Sequence, residues 1–104
     1  MFVCSQGINR SYLASKIAKE ISQKRDLEIN VNNCGIEYVL DFVKEGSDFF
    51  NYDKYFVMEE DMVSDLKKIG ILEEKIICLN IKDDFLKDNI LLRKILEEKL
   101  TNYF

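Results

Sequence analysis

At 104 residues and 47% hydrophobic content the chain fits one domain, residues 1–104, with no room for a second and enough apolar material for a single core. A net charge of −4 without any cluster of Lys and Arg argues against a nucleic-acid surface, and apolar runs of only a few residues fall far short of a membrane span. Three scattered cysteines with no CxxC pair argue against a disulfide framework or a structural zinc site, and the absence of histidine excludes Ser-His-Asp and Cys-His catalysis outright.

In chain order, short strands alternate with amphipathic helices. Phe2 to Cys4 is a brief apolar strand. After a loop, Leu13, Ala14, Ile17, Ala18 and Ile21 recur at helical spacing, and Lys24 and Arg25 suit the helix C-terminus. Leu27, Ile29 and Val31 alternate with polar residues as a second strand that stops at Asn32-Asn33-Cys34-Gly35. Ile36, Val39, Leu40 and Val43 form a helical stripe ended by Gly46. Lys54 to Met58 reads as a buried strand, and Glu59, Glu60 and Asp61 supply the acidic first turn of a helix carrying Met62, Val63, Leu66 and Ile69 to a stop at Gly70. Lys75 to Ile81 is a fourth strand, and after the polar stretch Lys82-Asp83-Asp84 a last helix carries Ile90, Leu91, Ile95, Leu96 and Leu100. This alternation predicts an α/β protein with a doubly wound, parallel, four-stranded sheet. In such sheets ligands sit beyond the carboxyl ends of the strands, where the Cys4 loop, Asn33 to Gly35 and Asp83-Asp84 are expected to converge.

The loop Cys4-Ser5-Gln6-Gly7-Ile8-Asn9-Arg10-Ser11 has the chemistry of a phosphate cradle. Gly7 can take positive φ where the loop reverses, so that successive N–H groups point inward as an anion nest, and the following helix adds its positive end. The same donors stabilise a thiolate at Cys4, making it a nucleophile at the floor of the cradle. Arg10 can fork onto two phosphoryl oxygens, a geometry lysine lacks, and the Ser11 hydroxyl can donate back to the cysteine sulfur. Ser5, Gln6, Gly7, Ile8 and Asn9 complete the binding loop. A buried structural cysteine is the alternative reading of Cys4, and its position between an apolar strand and an amphipathic helix favours the functional one.

The segment Phe2-Val3-Cys4 through Arg10-Ser11, with Ala14 following, resembles the active-site loop of the low-molecular-weight protein tyrosine phosphatases, whose pattern is an apolar strand, C-x5-R-S and a helix. Tyr55 to Glu59 and Ile76 to Phe85 are similar to the third and fourth strand regions of a short, mainly prokaryotic branch of that superfamily. The resemblance implies a flavodoxin-like, three-layer fold and hydrolysis of phosphotyrosine or another aryl phosphate through a cysteinyl-phosphate intermediate, with inorganic phosphate as product. It further implies no metal or other cofactor, and a phosphotyrosine protein or small aryl phosphate as partner, with neither nucleic acid nor membrane involved. Cys4 is then the nucleophile, Arg10 the phosphoryl ligand and Asp83 the general acid, with Asp84 and Asp88 as competing candidates.

The chain departs from the family at Tyr12, where proline is common, at Gly7, where asparagine often sits, and at Asp83-Asp84, where Asp-Pro is usual. Phe85 and Tyr12 are candidates for the mouth of the site. An arsenate reductase on the same fold, relaying a disulfide through Cys34 or Cys78, is the main rival; a phosphocarrier subunit and a non-catalytic phosphoprotein-binding module are others. The composition and the lack of a signal-peptide pattern make the cytoplasm the expected compartment.

Overall fold

A computed structural model of the chain describes residues 1–4, 10–36, 49–81 and 90–104. Its centre is β1, Phe2–Cys4, three consecutive apolar residues that are all buried. A strand buried on both faces has no polar side to show, which is why it reads as an apolar run instead of an alternation. β2 (Asn33–Gly35), β3 (Tyr55–Val57) and β4 (Ile76–Cys78) join it in one parallel sheet of order β2-β1-β3-β4. Phe2 pairs with Asn33 on one side and Phe56 on the other; Val57 pairs in turn with Cys78.

Three helices cover this sheet among the described residues: α1 (Arg10–Lys24), α2 (Glu60–Lys68) and α3 (Ile90–Leu100). The crossover from β1 to β2 runs one way across the sheet and that from β3 to β4 the other, so the right-handed rule sets α1 and α2 on opposite faces. The packing agrees: α1 lies on β1, β2 and α3, whereas α2 lies on β3 and β4. The result is the three-layer, doubly wound α/β architecture.

α1 and α2 are built as their sequences dictate. α1 buries Ala14, Ile17 and Ala18 and closes with Asp26 in the left-handed region (φ 56°), where the Leu27 N–H bonds back to the Ser22 carbonyl at 2.8 Å. α2 stops where expected, at Gly70 with φ 103°, a conformation that lets the Ile71 N–H reach the Leu66 carbonyl at 3.1 Å. The core joins these helices to the sheet, with Phe2 stacked on Phe56 at 4.9 Å between ring centroids.

Three expectations are corrected. The second strand is not Leu27 to Val31 but the polar-looking Asn33–Gly35; Leu27 and Ile29 are exposed. Strand position here is set by pairing with β1, which takes whichever segment arrives in register, and Asn33-Cys34-Gly35 is that segment. The buried face of α3 is Leu92, Leu96 and Leu100, while Ile90 is 85% exposed and Leu91 is also exposed. Three leucines at a four-residue interval give the continuous stripe that packing on α1 requires. The fourth strand is shorter than expected, ending at Cys78, because the chain steps out of regular pairing at Asn80. The stripe Val39, Leu40 and Val43 with Gly46 lies outside the described residues.

Candidate active site

The carboxyl end of β1 and the start of α1 bring Cys4, Arg10 and Ser11 to one rim of the sheet. Cys4 ends the central strand, and its Sγ lies 3.0 Å from Ser11 Oγ in the first turn of α1. Both residues are buried, so the hydroxyl and the sulfur face each other away from bulk water.

Arg10 is the largest of the fully buried side chains, only 1% exposed. A guanidinium withdrawn from water in a small protein has to be paired, because an isolated buried charge is far too costly. Its Nη1 donates to Glu59 Oε1 at 2.6 Å and to the Ile81 carbonyl at 2.7 Å. Glu59 follows β3 and Ile81 follows β4. The arginine is therefore clamped at one corner by the ends of two neighbouring strands, which fixes the plane in which its fork presents donors.

Sequence reasoning missed Glu59 and Ile81. Glu59 looks like a first-turn helix carboxylate, yet it makes no side-chain cap to α2; its carboxylate serves Arg10 instead. The available signal was topological: if β3 adjoins β1, the residue just past β3 sits beside the loop that leaves β1. Of the other expected site residues, Ser5, Gln6, Gly7, Ile8 and Asn9, the acids Asp83, Asp84 and Asp88, and Phe85 lie outside the described residues. Tyr12 is exposed on α1 next to Ser11, with Lys16 Nζ 5.7 Å from its ring centre.

The two remaining cysteines sit differently from expectation. Cys34 is inside β2 and buried, paired with Val3, so by strand alternation it shares Val3's face of the sheet and Cys4 occupies the other. Burial pushes its thiol up to about 12, with the neighbouring Cys4 adding to the shift. Cys78 ends β4 only partly buried, and its thiol donates to Asn80 Oδ1 at 3.3 Å. Its acidity is also weakened, chiefly by burial.

A cavity of about 540 Å³ lies at the opposite, amino-terminal edge of the sheet, lined by Phe2, Ile29, Tyr52, Phe56 and Tyr103 among others. Of the described candidate site residues, none lines it. Among the described residues no group of three or more His, Cys, Asp or Glu side chains could hold a metal ion, and no helix is long and apolar enough to cross a membrane.

The sheet order, the helices on both faces and a cysteine at the carboxyl end of the central strand match the flavodoxin-like fold of the low molecular weight protein tyrosine phosphatases. Among solved structures, the chain is similar to YwlE from Bacillus subtilis, a mutant of which superposes with a TM-score of 0.66 at 16% identity, covering 97% of this chain and 95% of that one. YwlE is described in another structure as an arginine phosphatase, there as a cysteine-to-serine mutant with a phosphorylated active-site serine, with a TM-score of 0.65 at 15% identity over 98% and 95% of the two chains. The low molecular weight phosphotyrosine phosphatase VcLMWPTP-2 of Vibrio cholerae O395 has a TM-score of 0.65 at 16% identity over 97% and 92% of the chains. The tyrosine phosphatase Wzb of Escherichia coli K30, solved with sulphate, matches at 0.65 and 12% over 98% and 92%. No protein-family model and no curated protein sequence matches the chain.

Proposed function

We propose that the chain is a cysteine-dependent phosphatase acting on phosphotyrosine or another aryl phosphate through a cysteinyl-phosphate intermediate. The observation that carries this reading is the Ser11 hydroxyl held 3.0 Å from the sulfur of Cys4, at the end of the central strand and one residue after a buried, clamped arginine. In this mechanism the Cys4 thiolate attacks phosphorus in line with the departing phenolate. Arg10 and the N–H groups of residues 5–9 bind the equatorial oxygens as charge spreads over them. Asp83 gives its proton to the phenolate oxygen, whose pKa of about 10 makes that donation useful. It then takes a proton from water, which attacks the thiophosphate; the S–P bond breaks, inorganic phosphate leaves, and Ser11 stabilises the returning thiolate.

The positions of the other cysteines support hydrolysis over arsenate reduction. A relay needs a thiol that can reach Cys4, whereas Cys34 lies across the sheet from it with a thiol pushed up to about 12. The test is release of inorganic phosphate from p-nitrophenyl phosphate, a phosphotyrosine peptide and a phosphoarginine peptide. The aryl substrates should turn over, and Cys4→Ser and Arg10→Ala should each abolish it. Turnover of phosphoarginine alone would overturn the aryl assignment. Thioredoxin-dependent arsenate reduction that needs Cys34 or Cys78 would replace the hydrolase reading, and phosphate binding without any turnover would leave a binding module.

A further inference from the structure

The step out of regular pairing at the end of β4 has a specific form. Val57 pairs with Cys78, and the Leu79 N–H donates to the Val57 carbonyl at 2.8 Å, as a parallel ladder demands. The next donor from β4, the Ile81 N–H, would in a regular ladder take the carbonyl of Glu59. It takes Met58 instead, at 2.8 Å. The β4 side thus spends one more residue than the β3 side, as in a bulge, and the extra residue is Asn80, whose φ of 55° lies in the left-handed region.

Two consequences meet at Arg10. Because Ile81 bonds to Met58, the Glu59 carbonyl is left to the start of α2, where it accepts the Met62 N–H at 3.1 Å, and the Glu59 carboxylate reaches Arg10 at 2.6 Å. The same step carries the Ile81 carbonyl onto Arg10 Nη1 at 2.7 Å. Asparagine is one of the few side-chain-bearing residues that accept this backbone conformation readily, and here its Oδ1 is also held by the Cys78 thiol at 3.3 Å. We infer that Asn80 is a positioning residue for Arg10: its left-handed turn sets both acceptors of the guanidinium clamp. The catalytic consequence rests on the phosphatase reading; the geometric one does not.

The experiment compares Asn80→Gly, which keeps the conformation, with Asn80→Ala, which opposes it. Two readouts are taken: kinetics on p-nitrophenyl phosphate, and proton exchange of the Arg10 guanidinium followed by NMR in the free protein. Asn80→Ala should lower kcat/KM about tenfold, matching the disfavour of left-handed backbone for a residue that has a Cβ but lacks asparagine's locally hydrogen-bonding amide, and should speed Arg10 exchange; Asn80→Gly should stay within about twofold of wild type in both. A merely structural role would lower the melting temperature of Asn80→Ala and leave Arg10 exchange and kcat/KM alone. That result, or equal impairment by glycine and alanine, overturns the inference. If Asn80→Ala does not fold, Asn80→Ser replaces it, and Arg10 exchange no faster than in Asn80→Gly is then the overturning result. If wild type turns over no aryl phosphate, the phosphatase reading fails while Arg10 exchange still decides the positioning role.

Discussion

Replacing Glu59 by glutamine probes the arginine clamp with little steric change, since length and one acceptor oxygen are kept and only the charge is lost. Arg10 is 1% exposed and Glu59 40%, with 2.6 Å between Nη1 and Oε1. The bond that remains after the substitution still has a cationic donor, so what is lost is the added attraction of the carboxylate, about 1–1.5 kcal/mol out of the about 1.5–3 of a bond between two charged groups. Water has access to the carboxylate side and can compensate in part, which places the expected loss near the lower end, about 1 kcal/mol. For a domain of about 100 residues that corresponds to a fall of about 4–8 °C in Tm. If the same loss is felt when Arg10 grips the transferring phosphoryl group, kcat/KM falls about fivefold. Thermal unfolding and steady-state hydrolysis of p-nitrophenyl phosphate read the two effects separately. A variant with wild-type Tm and wild-type kcat/KM would refute the clamp, because a buried guanidinium cannot lose its counter-charge at no cost.

Two further outcomes follow from the geometry around the cysteines. Ser11→Ala removes the hydroxyl 3.0 Å from the Cys4 sulfur; in the proposed mechanism that hydroxyl bonds to the departing thiolate, a contribution of about 1.5–3 kcal/mol, so kcat should fall about 10- to 100-fold with KM little changed. Rapid quench should then find phosphoenzyme accumulating, and an unchanged kcat would sink the role given to Ser11. The Cys34 thiol, raised from 9.0 to about 12 by burial, makes a prediction about alkaline stability. Below pH 9 the thiol is protonated whether the chain is folded or not; between about 9 and 12 only the unfolded chain has lost the proton, so stability falls with rising pH, by about 1.4 kcal/mol per unit. Urea unfolding at several alkaline pH values should give a steeper decline for wild type than for Cys34→Ala, which lacks the titrating group; parallel curves would contradict the assigned burial effect.

Much of this molecule is written locally. Phe2 to Cys4 is apolar because a central parallel strand is buried on both sides, Gly70 marks a helix end because it alone tolerates the required φ cheaply, and the Cys4 loop announces itself by the order strand, cysteine, glycine, arginine and helix. What escaped local reading depends on neighbours. Asn33-Cys34-Gly35 carries turn chemistry and becomes a strand only because β1 offers it a ladder. Ile90 and Leu91 look as suitable for burial as Leu92, and the choice among them is made by α1. Glu59 satisfies every rule for a helix start, and its pairing with Arg10 appears only once β3 is known to lie beside β1. Asp83, the proposed general acid, lies in the stretch 82–89, outside the described residues.

β1 is flanked by a strand on each side and sealed by side chains above and below. Cys4 is consequently mounted on the segment that a denaturant should reach last. Amide exchange at Val3 and Cys4 should need opening of the whole molecule, whereas fraying of the outer strands should leave the sulfur's anchorage untouched. The proposed chemistry, which needs its sulfur held still, would thus borrow its rigidity from the middle of the sheet.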